Sequence, residues 1–265
     1  TAGRQKIPPP DPEVPQDTEA AAFFDVDNTL IQGSSLILLA QGLFKKRFIT
    51  LSELAPALRK QIRYRVSGSE NADDIAEGRE QALAIVKGKS VEELKQACRE
   101  IVDNRMLQKS YADTIELASM HLAAGQQVWL VSATPVQIGQ ALAETLGFTG
   151  ALGTVAEEED GKFTGRLVGD ILHGPGKKHA VAALAALQQL DLSKCTAYSD
   201  SVNDLPMLNM VGSPVAVNPD RALRKHAKAQ GWAVRDYRSV RRVMRAGVVP
   251  AVLAAAGLWW WRRRR

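Results

Sequence analysis

Residues 20–30 read Ala20-Ala21-Ala22-Phe23-Phe24-Asp25-Val26-Asp27-Asn28-Thr29-Leu30. From Ala21 to Val26 the run is apolar apart from Asp25 and is bounded by polar residues, the pattern of a strand buried on both faces. Two carboxylates two residues apart stand at the carboxyl end of that strand, where open parallel sheets place their ligands. A carboxylate can attack phosphorus and split a difficult hydrolysis into two displacements. A second one nearby can protonate the leaving oxygen and then deprotonate the attacking water. Asp and Asn are also ordinary turn residues, so the pair gains weight only from its partners elsewhere in the chain.

Gln126–Val131, Cys195–Ser199 and Pro214–Val217 show the same buried-strand pattern. Helical signals separate them: Pro135–Leu146 after Thr134, Lys177–Leu190 after a Gly-Pro-Gly turn, and Asp204–Met210 after Asn203. Strands alternating with helices predict an α/β fold with a Rossmann-like parallel sheet. Roughly ninety residues lie between the first and second strands, far more than the dozen or so that a parallel crossover requires. Apolar residues recur there at helical spacing in 35–44, 51–64, 72–86, 91–102 and 111–123, which predicts an inserted α-helical cap. Lys162–Gly169, after the turn-forming Asp160-Gly161, predicts a small hairpin. The expected domains are a proline-rich leader at 1–18, a core at 19–32 and 116–240, a cap at 33–115, and a tail at 241–265.

Three further elements carry chemistry. Ser132 closes the second apolar run, and its hydroxyl, with backbone N–H groups such as that of Ala133 near a helix start, suits a phosphate oxygen. Lys177 opens a helix, where its ammonium could neutralise a nucleophile and a transferring phosphoryl group. Tyr198-Ser199-Asp200-Ser201-Val202-Asn203-Asp204 again sets acidic residues after a strand. Asp200 is placed to hold a hard cation such as magnesium through oxygen, with Asp204 beside it.

In this order, DVDNTL (25–30), Ser132, Lys177 and SDSVND (199–204) resemble the motifs of the haloacid dehalogenase superfamily of phosphohydrolases over about residues 20–240. The long insert and Val217-Asn218-Pro219-Asp220 resemble its phosphoserine phosphatase-like branch. The resemblance implies Asp25 as nucleophile and Asp27 as general acid/base. It implies that Ser132, Ala133, Lys177 and Asn203 bind phosphate, and that Lys177 also serves catalysis by neutralising charge. Magnesium would be held by Asp25, Asp200 and the backbone carbonyl of Asp27, with Asp204 in support. The implied reaction is hydrolysis of a small phosphomonoester. Phosphoserine phosphatase proper, a phosphotransferase and a catalytically silent phosphate- or magnesium-binding module are the alternatives. Phosphoserine phosphatases carry a glutamate nine residues after the nucleophile to meet the substrate ammonium. Here that position is Ser34, a poor substitute for a charge.

The net charge of +5 is carried by the carboxyl end, where eight arginines and no acidic residue follow position 236; the residues before them are net negative. A nucleic-acid-binding core would carry its basic footprint on the folded domain, so no nucleic-acid partner is expected. Ala246 to Trp261 is uncharged and ends in three tryptophans followed by Arg262 to Arg265. That composition suits either an anionic membrane surface, better than a full span, or a helix packed on the domain with a basic end. Two cysteines without CxxC spacing indicate neither disulfides nor zinc and fit a reducing, cytoplasmic setting, with peripheral attachment through the tail. His121, His173, His179 and His226 fall at unrelated spacings and are expected to be structural.

Overall fold

A computed structural model describes residues 17–50, 53 and 82–238. The leader up to residue 16, the expected helices at 51–64 and over most of 72–86, and the tail from 239 onward lie outside the described residues.

Seven strands form one mostly parallel sheet: β1 Ala21–Phe24, β2 Gln127–Pro135, β3 Gly150–Glu159, β4 Lys162–Val168, β5 Thr196–Ser199, β6 Ser213–Val217 and β7 Ala233–Arg235. Their order across the sheet is β4-β3-β2-β1-β5-β6-β7, and only the β3–β4 pair is antiparallel. β1 is central, between β2 and β5. Its side chains alternate between two cores: Ala22 and Phe24 join one apolar cluster, Ala21 and Phe23 the other. Each fully buried phenylalanine contributes about 1.5–3 kcal/mol of hydrophobic stabilisation.

Helices cover both faces. On the Phe24 side lie α1 Ser35–Lys45, α2 Val91–Ile101, α3 Ala112–Ala123 and α4 Val136–Leu146. The Phe23 side is covered by α5 Pro175–Gln188, α6 Leu205–Leu208 and α7 Arg221–Ala229. α1, α2 and the 102–109 segment all come from the insert between β1 and β2. α3 runs unbroken across position 115, where the cap was expected to end.

Three expectations need correction. The second strand does not stop at Val131: β2 runs to Pro135, and the helix starts at Val136. Asp204–Met210 is a 3-10 turn at Val202–Asp204 followed by one short helical turn, with Pro206 in its first positions. The hairpin is larger than expected, since β3 is ten residues long and also pairs with β2 in the main sheet. Gly150, Gly153 and the acidic run Glu157–Glu159 hide that strand from a propensity reading. Gly153 is needed for close approach: a Cβ there would lie 2.6 Å from the Val136 Cα and 2.9 Å from the Thr134 carbonyl.

Candidate active site

β2 and β5 flank β1, so chain connections leave the sheet in opposite directions on either side of it, and the crevice at its carboxyl end is a topological switch point. Register brings the expected residues there. Phe24 pairs with Leu130 and with Tyr198, so Asp25 and Asp200 lie just past the ends of β1 and β5, and Ser132 lies beside them on the carboxyl half of β2.

Lys177 is the centre of the cluster. Its ammonium donates to Asp25 Oδ1 at 2.5 Å and to Asp204 Oδ2 at 2.7 Å, and all three residues are buried. Ser199 Oγ donates to the same Asp204 oxygen at 2.7 Å. Burial opposes charge on Lys177, but the two carboxylates outweigh it and hold the ammonium above the ordinary lysine range. Asp25 is pushed up to about 7, chiefly by burial, with Asp204 and Asp27 adding to it and Lys177 pulling the other way. Asp200 is pushed up to about 8 by burial and then by the carboxylates of Asp25 and Asp204.

Two carboxylates therefore contact the ammonium, with Asp200 in its electrostatic range and Asp27 in that of Asp25. Among the described residues no three His, Cys, Asp or Glu side chains are gathered into a cage for a metal. Magnesium does not require one, since it usually takes one or two carboxylates and completes its shell with other oxygens and water. The donors present are hard oxygens with excess negative charge, and Asp25 and Asp200 fit such an ion.

Asp27 is half-buried and aimed by α1. Ser34 caps that helix, and the next residue, Ser35, donates its N–H to Asp27 Oδ1 at 2.9 Å and its hydroxyl to the same oxygen. Asn28 sits at φ 55, a left-handed conformation that asparagine tolerates better than most residues. Its Oδ1 accepts the Gly33 N–H at 3.0 Å, and its side chain bonds Asp200. Its carbonyl accepts from buried Asn218 at 2.8 Å. Asp220 braces the same corner: its N–H donates to the Asp200 carbonyl at 2.8 Å, and its carboxylate accepts from Val202 and Leu223.

Ser132 is buried, with its Oγ 2.8 Å from Thr134 Oγ1 and accepting the Thr134 N–H at 3.2 Å. Ala133 is exposed, and its carbonyl accepts from Thr154 Oγ1 at 2.7 Å. Asn203 is exposed and its N–H donates to Ser201 Oγ at 3.2 Å, so among these bonds nothing ties it to the Asp25 cluster. Lys177, Asp25 and Asp204 are thus brought into direct contact, and Asp27 and Asp200 into electrostatic range. Two of the histidines have partners elsewhere: His121 bonds Gln126 and Tyr198, and His226 packs edge-on against Trp232.

The contacts of Ser35 with Asp27, Asn28 with Asp200, Ser199 with Asp204 and Thr154 with Ala133 were missed. Ser35 left a faint signal, since a helix start needs one capping serine and Gly33-Ser34-Ser35 supplies two. Asn28 and Thr154 bond partners distant in sequence, and Ser199 bonds Asp204 five residues on, across the turn that follows β5.

A family model described as haloacid dehalogenase-like hydrolase matches residues 22–209. Phosphoserine phosphatase SerB1 of Mycobacterium tuberculosis (strain ATCC 25618 / H37Rv) is 52% identical over 248 residues, spanning 93% of this chain and 80% of that protein. Histidinol-phosphatase of Neisseria meningitidis serogroup C (strain 8013) is 33% identical over 221 residues, or 82% and 98% of the two chains. Among solved structures, a Bordetella pertussis Tohama I protein superposes with a TM-score of 0.72 at 30% identity, covering 82% of this chain and 98% of its own.

Proposed function

The chain belongs to the haloacid dehalogenase-like hydrolases, and on that basis we propose that it is a magnesium-dependent phosphatase that hydrolyses a small phosphomonoester through an aspartyl-phosphate on Asp25. The observation that carries this reading is the buried Lys177 ammonium shared by Asp25 and Asp204 at the switch point of the sheet. An ion pair sunk there costs desolvation, and a site that must receive a dianionic phosphoryl group gives that cost a use.

Substrate oxygens are received by Lys177 and by the hydroxyl and N–H groups of Ser132–Thr134. An Asp25 oxygen attacks phosphorus, and the bond to the organic group breaks as Asp27 gives its proton to the leaving oxygen, so an alcohol departs. Water then attacks the phosphorus, its proton passes to Asp27, and the bond to Asp25 breaks. Inorganic phosphate leaves and both aspartates return to their starting states. Ser35 bonds Asp27 Oδ1, which supports Oδ2 as the atom that moves the proton. Magnesium held by Asp25, Asp200 and the Asp27 carbonyl would neutralise charge on the transferring group. We place the cap boundary in the loop before α3, because Thr114 on that helix donates to the Thr29 carbonyl at 2.8 Å and so belongs with the core.

The test is phosphate release from p-nitrophenyl phosphate with magnesium and with chelator. Asp25→Asn should lose at least about a thousandfold in kcat, the scale seen when a nucleophile is removed. Steady hydrolysis by that variant at the wild-type rate, or full activity in chelator, refutes the reading.

The 52% identity to a protein named phosphoserine phosphatase favours a second reading, phosphoserine as the substrate. Ser34 speaks against it, and the relatives are named for two different phosphomonoesters. We assign the substrate class as small phosphomonoesters that do not depend on an ammonium contact at position 34.

A further inference from the structure

We propose that Thr154 is a positioning residue whose single hydroxyl ties the loop presenting Ser132 to the loop delivering Lys177, an inference that rests on the phosphatase reading. The β2–β3 ladder breaks between them. Val131 pairs with Leu152, and the next pair is Pro135 with Thr154, so four steps along β2 match two along β3. Ser132, Ala133 and Thr134 therefore bulge out of the ladder, and bulged residues lose their regular hydrogen-bond partners.

Thr154 supplies one partner. Its Oγ1 donates to the Ala133 carbonyl at 2.7 Å. That carbonyl and the Thr134 N–H belong to one planar peptide unit, so holding one end sets the direction of the other. The Thr134 N–H donates to Ser132 Oγ at 3.2 Å. Thr154 thus orients the Ser132 hydroxyl through one rigid plane without touching the reacting atoms.

The same oxygen works in the other direction. It accepts the Leu172 N–H at 3.2 Å, where the chain turns through His173-Gly174-Pro175-Gly176 into α5. Lys177 stands in the first turn of that helix, and its N–H bonds the Gly174 carbonyl at 3.1 Å. One hydroxyl, as donor and acceptor, therefore fixes the spacing of two phosphate-binding groups that lie on different crossovers. Gly153, packed against the Thr134 carbonyl and Val136, holds β3 close enough for this bridge.

The test compares Thr154→Val, which keeps the β-branched shape and loses the hydroxyl, with Thr154→Ser, which keeps the hydroxyl. Binding of inorganic phosphate is read by calorimetry with magnesium present, alongside KM and kcat for p-nitrophenyl phosphate and the thermal midpoint. Thr154→Val should weaken phosphate binding about fivefold, the scale of one modest hydrogen bond, and raise KM more than it lowers kcat. Thr154→Ser should stay within about twofold of wild type, the loss of a methyl being felt as stability rather than as phosphate affinity. A Thr154→Val protein that melts lower but binds phosphate like wild type shows a merely structural residue and overturns the proposal, as does a serine variant as weak as valine. Wild-type protein that turns over while the variants bind alike sinks this inference alone. Wild-type protein that neither binds nor releases phosphate sinks the phosphatase reading and this inference with it.

Discussion

Replacing Lys177 with methionine removes the ammonium while keeping a long unbranched side chain. In the folded protein that ammonium stands 2.5 Å from Asp25 and 2.7 Å from Asp204, with about 4% of its side-chain surface exposed. Its loss leaves two buried carboxylates facing each other, with Asp27 and Asp200 near by. Breaking a buried ion pair from one side costs about 3–5 kcal/mol, because the remaining charge is left uncompensated. At about 2–4 °C per kcal/mol for a chain of this size, the thermal midpoint should fall by roughly 6–20 °C. The measurement is thermal unfolding followed by circular dichroism in chelator, so that no cation substitutes for the lysine. Adding Asp204→Asn to Lys177→Met should recover part of the loss, since it removes one stranded charge and keeps an acceptor for Ser199. The double-mutant cycle should show a coupling of about 1–3 kcal/mol. A single variant within about 1 kcal/mol of wild type, or a double variant whose loss equals the sum of the singles, would refute the reasoning.

Ser34→Glu should raise kcat/KM for phosphoserine relative to p-nitrophenyl phosphate by about tenfold, the scale of one charge-assisted contact; an unchanged ratio means that position 34 is not aimed at the substrate. Burial holds His121 below the ordinary histidine range, against the opposing pull of Gln126. The unfolded chain therefore binds a proton near pH 6.5 that the folded chain resists, so this contribution to stability is complete above about 6.5 and is lost as pH falls below it. Urea midpoints at pH 7.5 and 5.5 should converge in His121→Asn relative to wild type, and an identical pH dependence would remove His121 from that role.

The place of Asp25 at the end of β1 was legible because its signal is local: an apolar run that meets a carboxylate needs no knowledge of its neighbours. Lys177 was legible for a similar reason, since Gly-Pro-Gly marks the helix start that it follows. The side chains that aim these groups were not. Asn28 gains its role from Asp200 and Asn218, and Thr154 from a carbonyl 21 residues away. No window of sequence contains both partners of such a bond. The length of β3 and its pairing with β2 were missed for a different reason, because its two glycines serve backbone approach to Trp129 and Val136 rather than strand propensity. Tertiary packing overrode the local signal there.

The central place of β1 has a consequence for how the chain is made. Ala21 donates its N–H to Cys195, 174 residues later. At a synthesis rate of about 5–20 residues per second, the strand Ala-Ala-Phe-Phe waits roughly 9–35 s before its β5 neighbour exists. Throughout that interval an apolar strand stands with an open edge, the feature most prone to pair with the wrong chain. Asp25 and Asp27, at the end of that strand, then act as charged gatekeepers against aggregation. The two carboxylates would protect the nascent chain before there is an active site for them to serve.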